Sequence, residues 1–202
     1  MIEQVLAGLA ATTAAEAVSV LLGIVYALLA VRQNRYCWIA GGLSSAILVY
    51  LSAQALLPMQ AVLQSYYVLI AIYGYWRWSR ASTGAAGDNQ ISVWPAAYHL
   101  LAVALIAAAA LFFAEKLVSV TPAAWPHLDI ATTLASLLAS WFVTQMKLEN
   151  WLYWIVIDLL SVVMYAAQGL MFVAFLYVAF LCIACVGFFT WLKRYRLQSL
   201  PA

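Results

Sequence analysis

Long apolar runs, each near the roughly 20 residues a spanning helix needs, alternate along the chain with short clusters of Arg, Lys, Asn, Gly and Pro. They predict seven spans, over Val5–Val31, Tyr36–Leu57, Gln60–Trp78, Pro95–Ala114, Leu128–Met146, Trp151–Gln168 and Leu170–Leu192. Arg32-Gln33-Asn34-Arg35 closes the first and Pro58 the second. The polar stretch Ser79–Val93, with Gly84, Gly87, Asp88 and Asn89, is the clearest break, and Glu115–His127 is a loop holding Pro122 and Pro126. Backbone groups in hydrocarbon must pair internally, so a span is a helix or part of a closed barrel. Barrel strands would give alternating segments of about ten residues; these runs do not alternate. The expected fold is an all-α integral membrane protein with seven transmembrane helices.

Composition strengthens that reading. Of 202 residues, 68% are hydrophobic and 8% charged, against about half and a quarter in a soluble domain. Spans of this number leave little chain for a soluble domain, and the first run is too long for a signal peptide. The few charges are sorted. Arg32, Arg35, Arg77, Arg80, Lys147, Lys193, Arg194 and Arg196 fall on one side of a seven-span arrangement, and only Lys116 on the other. Positive charge collects on the cytoplasmic side, which puts the N-terminus outside and the C-terminus in the cytoplasm. Cys37, Cys182 and Cys185 lie in or beside apolar runs, so no disulfide framework is expected, and the C-x-x-C pair reads as small packing residues.

The two ends of the chain resemble each other. Asn34-Arg35-Tyr36-Cys37-Trp38 aligns with Asn150-Trp151-Leu152-Tyr153-Trp154, and Tyr73-Gly74-Tyr75-Trp76-Arg77-Trp78 with Val186-Gly187-Phe188-Phe189-Thr190-Trp191. Similar membrane edges can recruit similar Trp-rich borders, but two anchors match in the same order. The expected plan is 3+1+3: residues 1–78 as a first three-helix repeat, 79–94 as a cytoplasmic linker, 95–127 as a connector helix and outer loop, and 128–202 as a second repeat with a cytoplasmic tail. One connecting span leaves the repeats parallel, one of the transporter plans.

Ionisable groups inside spans are costly and mark function. Glu16, near the middle of span one, and Asp158, two turns into span six, have no Lys or Arg at matching depth. A cationic ligand, a proton or buried water must offset each. Helical spacing puts Trp154 and Tyr165 on the Asp158 face, with Gln168 at the helix end. An indole, a carboxylate and an amide suit a flat, charged ring. Trp38 is the expected counterpart of Trp154, with Gly42 at the level of Asp158. Tyr50, Gln64 and Tyr67, with Tyr66 and Tyr73, add polar and aromatic groups to spans two and three. His99 and His127 are isolated. No catalytic set, metal-ligand cluster or phosphate-cradling loop stands out, so no catalytic residue, cofactor, metal or nucleic-acid partner is expected.

Glu149-Asn150-Trp151-Leu152-Tyr153-Trp154, continuing through Asp158, Ser161-Val162-Val163 and Ala167-Gln168-Gly169, together with Leu63-Gln64-Ser65-Tyr66-Tyr67 and Ile72-Tyr73-Gly74-Tyr75-Trp76-Arg77-Trp78, resembles the PnuC family of bacterial vitamin-precursor transporters. The resemblance spans nearly the whole chain except the linker and span four. It implies a homotrimer in the bacterial inner membrane and facilitated diffusion, with uptake driven by phosphorylation of the solute inside the cell. It places Trp154, Asp158 and Gln168 at the family's Trp, polar and Gln site positions. Nicotinamide riboside carriers often have Asn where Asp158 stands. Cys37-Trp38 and Gln64–Tyr67 look closer to the thiamine-carrying branch, PnuT. Thiamine is therefore the expected solute and nicotinamide riboside the alternative, with a riboflavin-like solute also within the family's range; the first two are aromatic cations. The remaining rivals are a retinal protein, which lacks a Lys in Leu170–Leu192, a membrane enzyme using Glu16 and Asp158 as acid and base, and a proton-coupled carrier titrating Glu16.

Overall fold

The computed structural model describes residues 3, 8, 10, 12–81, 90–118 and 125–198. The glycines of the linker at 84 and 87, Asp88, Asn89 and Pro122 lie outside them. Among the described residues, seven long helices follow in order: α1 (Ala14–Val31), α2 (Cys37–Gln54), α3 (Pro58–Ala81), α4 (Ala96–Val118), α5 (Pro126–Thr144), α6 (Asn150–Ala167) and α7 (Met171–Gln198). An 18-residue helix is about 27 Å long, close to the hydrocarbon thickness. Five helices, α1, α2, α4, α6 and α7, are long and apolar enough to cross a membrane.

The more polar pair, α3 and α5, spends its polarity on itself. Tyr66 donates its hydroxyl to the Leu137 carbonyl (2.9 Å) and Tyr67 to Ser136 Oγ (2.7 Å). Arg77 and Trp78 both donate to the Thr144 carbonyl, at 3.0 and 3.2 Å. Such side chains face another helix because lipid offers them no partner.

The packing order closes a ring. α1 packs on α2, α2 on α3, α3 on α5, α5 on α6, α6 on α7, and α7 returns to α1, while α4 stands outside and packs on α5. The ring has a two-fold pattern with one constant register. Gln33 and Met146, 113 residues apart, both have positive φ (57° and 53°), and so do Leu56 (55°) and Gly169 (75°) at the same spacing. Each ends a helix with the six-to-one bond of a Schellman turn. The amide of Asn34 donates to Leu29 and that of Lys147 to Phe142, both at 3.0 Å; Leu57 donates to Ser52 and Leu170 to Tyr165, both at 2.9 Å.

The tryptophans obey the same register. Trp38 meets Trp78 edge-on (5.3 Å between centroids, 83°), and Trp151 meets Trp191 likewise (5.6 Å, 83°). Trp78 reaches the Thr144 carbonyl of α5; Trp191 reaches the Val31 carbonyl of α1 at 3.1 Å. The structural partner of Trp38 is thus Trp151. The expected alignment of Trp38 with Trp154, and of Gly42 with Asp158, is three residues out of register, because Asn-x-x-x-Trp recurs by chance at the start of both helices. Gly41 matches Trp154, and Ser45 matches Asp158.

Within the expected first span, α1 begins at Ala14. Thr13 caps α1 and Glu16 completes a capping box: Thr13 Oγ1 accepts from the Glu16 amide (3.3 Å) and Glu16 Oε2 from the Thr13 amide (2.7 Å). Glu16, expected near the middle of a span, is therefore an exposed first-turn residue of α1 whose carboxylate is engaged by its own cap. The Thr-x-x-Glu start signal explains it, and its position favours the helix N-terminus electrostatically.

Candidate functional site

The six-helix ring encloses a cavity of about 250 Å³. Every ring helix contributes to its wall. Tyr26 comes from α1, Trp38 and Ser45 from α2, Gln64 and Tyr67 from α3, Ser140 from α5, Trp151, Trp154 and Asp158 from α6, and Tyr177 and Phe180 from α7.

Several wall positions are related by the 113-residue register. Trp38 opposes Trp151, Gln64 opposes Tyr177, Tyr67 opposes Phe180, and Ser45 opposes Asp158. The site thus lies on the internal two-fold, with different chemistry at equivalent places. Tyr67 meets Ser136 by a hydrogen bond; the equivalent Phe180 meets Gly23, where a Cβ would stand 3.7 Å from its ring.

The tryptophans are held by glycine. A Cβ on Gly74 would approach the Trp38 indole to 2.3 Å, and one on Gly187 would approach Trp151 to 2.5 Å. Both are invasive distances, so the indoles occupy the space that a side chain would take. With Trp78 and Trp191 they form the main buried cluster, alongside Ala30, Val31 and Val143. It sits at the ends of the helices where the Arg and Lys residues cluster, and it floors the cavity there.

Asp158 is 4% exposed and Gln64 7%. Neither makes a side-chain hydrogen bond or ion pair among the described residues. An ionised carboxylate in such a place lacks the compensation that burial demands. The cavity therefore offers a carboxyl group, whose ionised form a bound cation would stabilise, and an amide edge, framed by indole and phenol faces, which suits a planar heterocycle carrying positive charge.

Of the residues expected from the sequence, Trp154, Asp158, Trp38, Gln64 and Tyr67 are brought together here. Four are not. Glu16 is in its capping box. Tyr50 is 63% exposed; five residues beyond Ser45, it is turned by about 140° around the helix. Gln168 is an exposed helix cap whose amide donates to the Met164 carbonyl (3.1 Å). Tyr165 stands behind the wall, stacked on Tyr177 (5.3 Å, 11°). Sequence reasoning missed Tyr26, Ser45, Ser140, Tyr177 and Phe180. A register of 113 residues, read from the Gly74–Gly187 match alone, leads from Gln64 to Tyr177 and from Asp158 to Ser45.

A second polar cluster lies at the start of α4. Glu149 Oε1 accepts from the Trp94 amide (2.5 Å) and pairs with His99 Nε2 (3.2 Å), while His99 Nδ1 contacts the Tyr153 hydroxyl (3.1 Å). Ser92 exchanges backbone bonds with Met146 and Leu148 (3.1 and 3.0 Å). These contacts fasten the segment before α4 to the α5–α6 turn and touch none of the cavity wall.

Comparison with known proteins gives concordant matches. The family model described as nicotinamide mononucleotide transporter matches residues 13–193. The riboflavin/roseoflavin transporter RibM of Streptomyces davaonensis is 29% identical over 188 residues, which cover 90% of this chain and 85% of that protein. The nicotinamide riboside transporter PnuC of Escherichia coli is 24% identical over 205 residues, covering 90% and 86%. The crystal structure of the vitamin B3 transporter PnuC superposes with a TM-score of 0.69 at 20% identity, over 92% of this chain and 83% of that one.

Proposed function

The chain belongs to the nicotinamide mononucleotide transporter family, a membrane transporter of vitamin precursors and not an enzyme, and on that premise we propose that it takes up a small unphosphorylated aromatic vitamin with a cationic ring, thiamine first. The observation that carries this reading is Asp158: buried, facing the cavity and lacking a protein cation. Nicotinamide riboside is the second reading. It presents the same ring charge, and it is the solute named for the Escherichia coli relative. Trp154, Trp151 and Trp38 supply the aromatic faces, Asp158 the charge, Gln64 and Tyr67 the polar edge.

In the proposed cycle the solute enters between residues 1–78 and 128–202 acting as parallel repeats. The repeats rock about α3–α5 and α7–α1, and the tryptophan floor opens to the cytoplasm. Transport is uncoupled, and phosphorylation inside the cell traps the solute. The basic helix ends face the cytoplasm of a bacterial inner membrane, the N-terminus lies outside, and the working unit is a homotrimer.

The test is a tryptophan-quenching titration of the purified protein with thiamine, nicotinamide riboside and riboflavin, repeated on Asp158→Ala. Thiamine should bind tightest and lose on the order of 30-fold or more in the variant. Unchanged thiamine affinity in folded Asp158→Ala removes the carboxylate from recognition; riboflavin binding tightest replaces the cationic solute with a neutral one. Uptake into proteoliposomes with the pH gradient collapsed should still reach equilibrium.

A further inference from the structure

Asp158 and Ser45 stand at the same place in the two halves of the ring. They share the register that relates Gln33 to Met146, 113 residues apart. Both line the cavity, and they are buried to 4% and 8% exposure. Like Asp158, Ser45 makes no side-chain hydrogen bond among the described residues. Its neighbour Ser44, by contrast, is used up in a bond to the Ser19 carbonyl (2.8 Å).

The helices that carry the two residues are held alike. α2 is locked by Trp38 against Gly74, and α6 by Trp151 against Gly187. An aromatic ring also lies one turn away in each half. On α6 it is Trp154. On α2 the equivalent position is Gly41, and the space above it is filled by Tyr26, whose ring a Cβ at Gly41 would approach to 2.8 Å. Each wall therefore offers an aromatic face beside a small polar position, and only one wall carries an ionisable carboxyl group.

A point near the two-fold sees the two positions at similar distances. Coulomb attraction depends on distance and local dielectric, so a carboxylate on either wall attracts a cation between them comparably. What differs is which end of an asymmetric solute lies against which repeat. We propose that Ser45 is a specificity-determining residue: its lack of charge, set against Asp158, fixes the orientation of the cationic ring in the cavity, and exchanging the two residues turns the solute round without abolishing binding. This rests on the reading of Asp158 as the group that recognises charge.

The experiment compares the full-length wild type with Asp158→Ser, Ser45→Asp and the Ser45→Asp/Asp158→Ser exchange, using thiamine as probe and thermal unfolding as a check on folding. Asp158→Ser should weaken thiamine by on the order of 30-fold. The exchange should recover most of that loss, to within about fivefold of wild type. An exchange variant that folds but stays as weak as Asp158→Ser overturns the inference and leaves the role of Asp158 intact. No loss in Asp158→Ser instead overturns the recognition reading itself.

A second measurement covers failure of the exchange variant to fold. With Cys182→Ala and Cys185→Ala as background, Ser45→Cys should react with a small cationic methanethiosulfonate, and saturating thiamine should slow that reaction. Reaction at the same rate with thiamine present overturns the placement of Ser45 beside the solute.

Discussion

The indole of Trp38 occupies the volume that a side chain on Gly74 would need, with a Cβ there coming within 2.3 Å of the ring. The second half repeats this with Trp151 over Gly187 at 2.5 Å. Neither indole can retreat easily, since Trp38 is 2% and Trp151 4% exposed. Gly74→Ala and Gly187→Ala should each cost about 1–3 kcal/mol from overpacking and lower transport. Gly23→Ala, whose added Cβ would meet nothing closer than 3.7 Å, should unfold within about 0.5 kcal/mol of wild type. Unfolding by SDS in mixed micelles separates the two classes.

The Trp78 and Trp191 N–H groups bind carbonyls at opposite interfaces of the ring, Thr144 and Val31. Trp191→Phe keeps the ring contact with Trp151 but removes the donor. It should lose about 1 kcal/mol, and Trp78→Phe a similar amount. Because the two bonds share no partner, the losses should add. Both variants should release preloaded solute from proteoliposomes faster than wild type, as expected if these bonds help hold the tryptophan floor. Equal efflux rates would confine them to stability.

Glu16, Tyr50 and Gln168 lie off the cavity wall. Alanine at each should leave thiamine affinity within about twofold in the quenching titration. Glu16→Ala should still lower stability by about 1 kcal/mol, because the capping box at Thr13 is lost. A large affinity loss with Glu16→Ala would return this acid to the transport path.

Glu149 holds the Trp94 amide and pairs with His99. Removing it strands the amide and frees the start of α4. Glu149→Ala should cost about 1–3 kcal/mol. It should speed amide hydrogen exchange around Ser92 and Trp94 while exchange in α2 stays unchanged. Uniform acceleration across the ring would mean that this contact supports the whole bundle.

Most of the helical plan was legible in the sequence. Seven apolar runs became seven helices, because a span in hydrocarbon must satisfy its own backbone and only a helix does so within one segment. The boundaries moved where local chemistry outranked hydropathy. Thr13-x-x-Glu16 started α1 inside an apolar run, and α7 continued past Leu192 to Gln198 through a basic end. The Trp154–Asp158 pair was also legible, since a four-residue spacing puts side chains on one helix face whatever surrounds the helix.

Tertiary structure alone decided which helix faces turn inward and which residues meet across the ring. Hydrophobic periodicity says little when both lipid and bundle interior are apolar, so helix rotation is fixed by close packing between helices. That packing, glycine against indole at Gly74–Trp38 and Gly187–Trp151, set the register that pairs Asp158 with Ser45. It left Tyr50 facing outward, placed Tyr165 behind Tyr177, and brought Tyr26 and Phe180 to the wall. Side-chain spacing along one helix was encoded locally; contacts between helices depended on shapes that meet only once the ring has closed.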